Sequence, residues 1–176
     1  MYKSILFFCL LLIVGCVTNN QDCCVVGPQA INISFVDSQG VDLLNADHPN
    51  AITEQNTDLY YLVDGKKVKQ SEAHLTHPKK FFISDEKLSD RYFMRVFTYI
   101  DQNQRKSTTY LKFNNGSMDT IKVAYNHFNG SSASVTKVWY NGKVRWDIKG
   151  DDNNEENIEH VGLYFVVTRE LQAVEP

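Results

Sequence analysis

Residues 30–36 alternate, with Ile31, Ile33 and Phe35 on one side and Asn32 and Ser34 on the other. Successive side chains leave a strand on opposite faces, so a period of two predicts a half-buried β-strand. The same pattern predicts strands over residues 59–63, 66–70, 81–84, 92–99, 107–113, 119–125 and 161–168, with Val161, Leu163, Phe165 and Val167 of the last facing inward. Residues 92–99 are dense in apolar and aromatic side chains and belong in the middle of a sheet. Turn chemistry lies between the runs: Asp37-Ser38-Gln39-Gly40, Asp64-Gly65 and Asn114-Asn115-Gly116-Ser117. Residues 41–57 read as irregular, residues 71–80 stay unassigned around Pro78, and residues 85–90 read as a turn or one turn of helix.

The strongest local signal is Asn141-Gly142, which predicts a hairpin over residues 135–148. A regular two-residue turn would set Tyr140 opposite Lys143, Trp139 opposite Val144, Lys137 opposite Trp146 and Val135 opposite Ile148. The face with Val135, Lys137, Trp139, Val144, Trp146 and Ile148 is the expected core face, with Tyr140 on the solvent side. About nine short strands with no helix longer than two turns predict an all-β fold, an antiparallel β-sandwich (immunoglobulin-like or related) in one domain over residues 29–169. The three runs between residues 92 and 125 suggest a meander within one sheet.

Ahead of the domain the pattern changes. Lys3 precedes an uncharged apolar run over residues 5–14, too short to span a bilayer, for which about 20 residues are needed. It suits the hydrophobic region of a signal peptide. The run ends in Ile13-Val14-Gly15-Cys16, which resembles the lipobox of bacterial lipoproteins. That resemblance implies cleavage after Gly15 and acylation of Cys16, with membrane attachment through the lipid. Residues 1–15 are then signal peptide, 16–28 lipidated cysteine and tether, and 170–176 a C-terminal tail. Loss of Lys3 takes the formal charge from −3 to −4. A slightly acidic chain with scattered lysines argues against nucleic acid as a partner. Of the four cysteines, Cys9 lies in the signal and Cys16 takes the lipid; adjacent Cys23 and Cys24 do not staple the domain.

Candidate chemistry is sparse. GxSxG, HExxH, P-loop and Rossmann glycine motifs are all missing, and no cofactor is expected. His74 and His77 beside Pro78 read as loop residues rather than metal ligands, and residues 151–156 as a solvated acidic loop. Lys66, Lys67, Lys69, Lys79 and Lys80 could form an anion site, although lysines on an edge strand also block sheet-to-sheet association. Trp139, Tyr140 and Trp146 are the candidate ligand contacts, as aromatic faces on which sugars stack; the hairpin register favours core packing for both tryptophans and makes Tyr140 the better candidate for contact. Asp119-Thr120-Ile121 matches an O-glycosylation pattern of Bacteroidota envelope proteins, with Thr120 as acceptor. A glycan hydrolase would need two facing carboxylates, such as Asp101 and Asp119.

The lipobox, residues 40–45, Thr108-Thr109-Tyr110-Leu111, Asp119-Thr120-Ile121 and Trp139-Tyr140-Asn141-Gly142-Lys143 together give a chain that resembles small cell-envelope lipoproteins of Bacteroidota. The resemblance implies an envelope address, with the outer membrane expected, and a β-rich domain; it implies no activity. The expected function is a non-enzymatic module that binds a protein or glycan partner. The alternatives are a subunit of a surface structure and a small glycan hydrolase.

Overall fold

The computed structural model describes residues 30–100, 104–126, 134–149 and 163–170. Ten strands fill these residues: β1 (Ala30–Val36), β2 (Thr57–Val63), β3 (Lys66–Lys69), β4 (Phe81–Leu88), β5 (Arg91–Phe97), β6 (Lys106–Phe113), β7 (Met118–Tyr125), β8 (Val135–Tyr140), β9 (Lys143–Asp147) and β10 (Leu163–Thr168). No helix occurs among the described residues. A four-stranded sheet, β10-β1-β5-β4, packs on a six-stranded sheet, β3-β2-β6-β7-β8-β9. The fold is the expected β-sandwich, with one departure from antiparallel pairing. β10 runs parallel to β1, Ile33 beside Phe165 and Phe35 beside Val167. Parallel neighbours need a connection of a dozen residues or more, and β1 and β10 are separated by residues 37–162, which include the eight other strands.

The core is built from the inward halves of both sheets. Ile31, Ile33, Phe35, Met94 and Val96 come from one, and Leu59, Leu111, Ile121, Val123 and Tyr140 from the other. Phe35 meets Phe113 edge-on at 5.9 Å across the layers. β1 is buried on both faces rather than half-buried, because its outer polar groups are satisfied locally. Asn32 accepts a hydrogen bond from Arg95 Nε (3.0 Å), and the Ser34 hydroxyl donates to the Tyr92 carbonyl (2.6 Å). The irregular stretch after β1 also enters the core through Leu43 and Ile52, held by Leu43 N–H to Phe35 O and Ile52 N–H to Leu43 O.

Turn residues behave as their chemistry demands. Asp64 and Gly65 have φ of 48° and 76°, and Asn141 and Gly142 have 48° and 79°, the left-handed pair that a two-residue hairpin of type I′ requires. Three further expectations change. Residues 85–88 continue β4 past a bulge, and the turn is at Ser89-Asp90, both at positive φ. β5 does not join β6 in a meander: it sits between β1 and β4, and the chain crosses to the other sheet after it.

The third change is the face of the β8–β9 hairpin. Tyr140 pairs with Lys143 and Trp139 with Val144 as expected, but Val138, not Lys137, lies opposite Trp146. Arg145 is the extra residue of a bulge, and Thr136 is another, where Ala124 pairs with Lys137 and Tyr125 with Val135. Each bulge reverses the alternation of the strand beyond it. Val138 and Tyr140 therefore enter the core while Trp139 and Val144 face out; Ile148, one residue past the end of β9, is exposed.

Candidate functional site

The best-defined polar constellation lies at one end of the sandwich, where three elements converge. The first is the residue that follows β10. Arg169 N–H donates to the Val36 carbonyl at 2.8 Å, which extends the parallel ladder by one step and aims the side chain between the sheets. Its guanidinium carbon sits 3.9 Å over the Phe113 ring and 5.9 Å from the Phe35 ring, the stacking geometry that suits a planar, delocalised cation.

The second element is the start of β7. Ile121, Val123 and Tyr125 face inward there, so alternation carries Asp119 inward too, to 8% exposure. A buried carboxylate needs full pairing. Its Oδ2 accepts from Arg169 Nη1 and from the Tyr140 hydroxyl, both in short contacts, and its Oδ1 accepts from Asn141 Nδ2 at 2.9 Å. The third element is the β8–β9 turn. Asn141, in its left-handed conformation, also exchanges two bonds with Thr120: its N–H donates to Thr120 O (2.8 Å) and its Oδ1 accepts from Thr120 N–H (2.7 Å). Burial, with the charge of Asp119 beside it, raises the Tyr140 phenol well above its ordinary range and keeps it protonated.

From this buried end the network runs outward. Arg169 Nη2 donates to Ser117 Oγ at 2.8 Å, and Ser117 Oγ donates to Asn115 Oδ1 at 2.6 Å. Asn115 and Arg169 line an open cleft of about 310 Å³, with Ile52 and Phe113 as apolar lining and Asn50 and Asn114 beside them. That volume is at the lower end of small-ligand pockets. Both oxygens of Asp119 are occupied, so it accepts hydrogen bonds rather than attacking a substrate. The cleft presents amide groups, a fixed guanidinium edge and a small apolar floor.

The sequence-derived candidates do not come together. Tyr140 is 2% exposed and is a core residue, the reverse of its expected solvent role. Trp139 lies half-buried on the outer face of its sheet, with Lys137 Nζ 5.4 Å from its ring. Trp146 packs against the core at the sheet edge. Thr120 is half-buried on the outer face, opposite Tyr110. The lysine group divides: Lys69 and Lys79 pair with Asp58 at 2.7 and 3.5 Å, and Lys80 pairs with Glu72 at 2.8 Å. Lys79 also donates to the Glu54 and Thr57 carbonyls. His77 stacks on Phe82 at 4.1 Å while the His74 side chain is 76% exposed. Among the described residues no three His, Cys, Asp or Glu side chains group as metal ligands. Cys16, Cys23, Cys24, Asp101 and residues 151–156 lie outside the described residues.

Arg169 and Ser117 drew no role from the sequence. The available signal was Asp119, an acid at an inward position of an alternating strand, which demands a cation or several donors nearby. Compared with family models, with curated proteins and with solved structures, the chain matches none of them.

Proposed function

We propose that the protein is a lipid-anchored binding module of the bacterial cell envelope, without catalytic activity of its own. The lipid on Cys16 holds it to a membrane, the outer membrane being the expected one, and residues 17–28 space the sandwich from the bilayer. A protein or glycan partner is taken at the cleft beside Arg169.

The observation that carries the binding role is the composition of that cleft. Asn50, Asn114 and Asn115 surround a guanidinium already braced by Phe113 and neutralised by Asp119. Amides donate and accept at once, so they match hydroxyl and peptide groups. The neighbouring carboxylate is saturated, which favours recognition over acid–base chemistry.

Two substitutions test the two halves of the proposal. Cys16→Ser should move the chain out of the membrane fraction, since each buried CH₂ of an acyl chain contributes about 0.8 kcal/mol to attachment. Persistence of Cys16→Ser in the membrane after a carbonate wash would rule out the lipid anchor. Asn114 is exposed at the mouth of the cleft. Asn114→Trp should therefore block it without touching the core. On a glycan array, and in affinity capture from envelope extracts, this variant should lose the wild-type partners at an unchanged melting temperature. Retention of all of them would exclude the cleft as the binding site.

A further inference from the structure

The outer face of the six-stranded sheet carries a charge opposite to that of the chain. Strand registers place Lys67 and Lys69 of β3, Lys106 and Lys112 of β6, Lys122 of β7 and Lys137 of β8 on this face. Its carboxylates are Asp58 and Asp147, and both are already engaged, with Lys69 at 2.7 Å and with Lys137. Lys67, Lys106, Lys112 and Lys122 form no salt bridge among the described residues, in a chain whose formal charge is −3.

Protection of a sheet edge explains lysines on β3. It does not explain Lys112 and Lys122, because β6 and β7 are interior strands of the sheet. The same face carries aromatic rings at half-buried positions. Tyr60 lies directly beside Tyr110, and Trp139 stands two strands from Tyr110, beside Lys122. At about 4.8 Å between strands and about 3.4 Å per residue along them, two strands and a two-residue offset set the Trp139 backbone roughly 12 Å from that of Tyr110, on a face about 24 Å across. Lys67 Nζ lies over the Tyr110 ring at 4.4 Å and Lys137 Nζ over the Trp139 ring at 5.4 Å, so each ammonium must swing aside onto an anion before a sugar ring can stack there.

We propose that this face binds an extended anionic polysaccharide, with sugar rings laid on Tyr60, Tyr110 and Trp139 and their carboxylates or sulfates met by Lys67, Lys112 and Lys122. Charge complementarity selects a polyanion, and the flat aromatic row selects one with stackable rings. The assignment rests on the binding-module reading but uses a different surface from the cleft. Asn114→Trp should leave it intact, which separates the failure of one site from the failure of the other.

The test uses the full acylated chain in detergent micelles, titrated with polygalacturonate and followed by tryptophan fluorescence and co-sedimentation. Polygalacturonate should bind with a change in Trp139 emission, absent in Trp139→Phe, and dextran should not bind. Binding should weaken steeply as salt is raised to about 0.5 M. The pair Lys112→Glu and Lys122→Glu should weaken binding at least about tenfold at unchanged melting temperature, each reversal being comparable to loss of an exposed ion pair. The pair Lys112→Gln and Lys122→Gln should weaken it less, and serves if the reversed pair does not fold. Undiminished binding by the lysine variants overturns the proposal. So does binding of dextran, equal retention by single-stranded DNA, or binding only to vesicles containing anionic lipid.

Discussion

Arg169→Ala is expected to lower the free energy of unfolding by about 3–5 kcal/mol, the range seen when one partner of a buried ion pair is removed. For a domain of this size that is a fall in melting temperature of roughly 10 °C. The magnitude follows from what is left behind. Asp119 would keep its Tyr140 and Asn141 donors but hold a negative charge at 8% exposure with no cation against it. The Phe113 and Phe35 rings would also lose the plate stacked on them. Arg169 is the only residue of the network carried by the four-stranded sheet; Asp119 and Tyr140 belong to the other. The substitution therefore cuts a tie between layers. Replacing the ion pair and the phenol with apolar residues, as Arg169→Met, Asp119→Leu and Tyr140→Phe, should recover most of the loss, since no buried charge remains and Asn141 and Ser117 can turn to solvent. Denaturant unfolding measures both. A cost below about 1 kcal/mol for Arg169→Ala would mean that water reaches the pair and that the tie contributes little.

The second large effect is alkaline. Three phenols have raised pKa values, all with burial as the main cause: Tyr61, Tyr125 and Tyr140. Tyr61 donates to the Phe97 carbonyl at 2.7 Å and Tyr125 to the Tyr99 carbonyl at 3.0 Å, so they too link the layers. A raised folded-state pKa gives stability that is complete below the unfolded value, about 10 for tyrosine, and is lost as pH climbs toward the folded value. Below pH about 10 the three groups are protonated in both states and add no pH dependence. Above it the unfolded chain releases protons that the folded chain keeps. Tyr61 and Tyr140, the strongly raised phenols, each contribute about 1.4 kcal/mol per pH unit, so stability should fall by roughly 3 kcal/mol per unit, with Tyr125 acting in the same direction. Absorbance of tyrosinate should show the exposed tyrosines titrating first, then a cooperative step coincident with loss of β-sheet circular dichroism. A smooth titration of every tyrosine with the sheet signal unchanged would show that the three phenols are not buried in solution.

What was legible in the sequence was local. Asp64-Gly65 and Asn141-Gly142 announced their hairpins because few residues accept positive φ at both positions. The alternation of Ser107 to Phe113 and Asp119 to Tyr125 translated directly into buried and exposed faces. The bulges at Thr136 and Arg145 were not legible: an inserted residue changes neither composition nor propensity, yet it reverses every face beyond it. That is why Tyr140 and Trp139 exchanged places between core and surface. Sheet membership was also hidden. β5 and β6 read as neighbours because they follow one another, but the apolar density of β5 reflects its place between β1 and β4. The candidate cleft depends on contacts between residues far apart in sequence, such as Asp119 and Arg169, and no spacing rule reaches that far.

The parallel pairing of β1 with β10 also sets an order of assembly. A chain that emerges from a ribosome or translocon with residue 30 ahead of residue 170 presents β1 before the strand that flanks it. Until β10 follows, β1 can pair with β5 alone, and its Ile31, Ile33 and Phe35 side chains lack the cover of Phe165 and Val167. The nascent intermediate is then a complete six-stranded sheet beside a three-stranded one with an open apolar margin. Such a margin is what holdase chaperones recognise and what aggregates when unattended. Proteolytic trimming within β10 would recreate the same open margin in the folded protein.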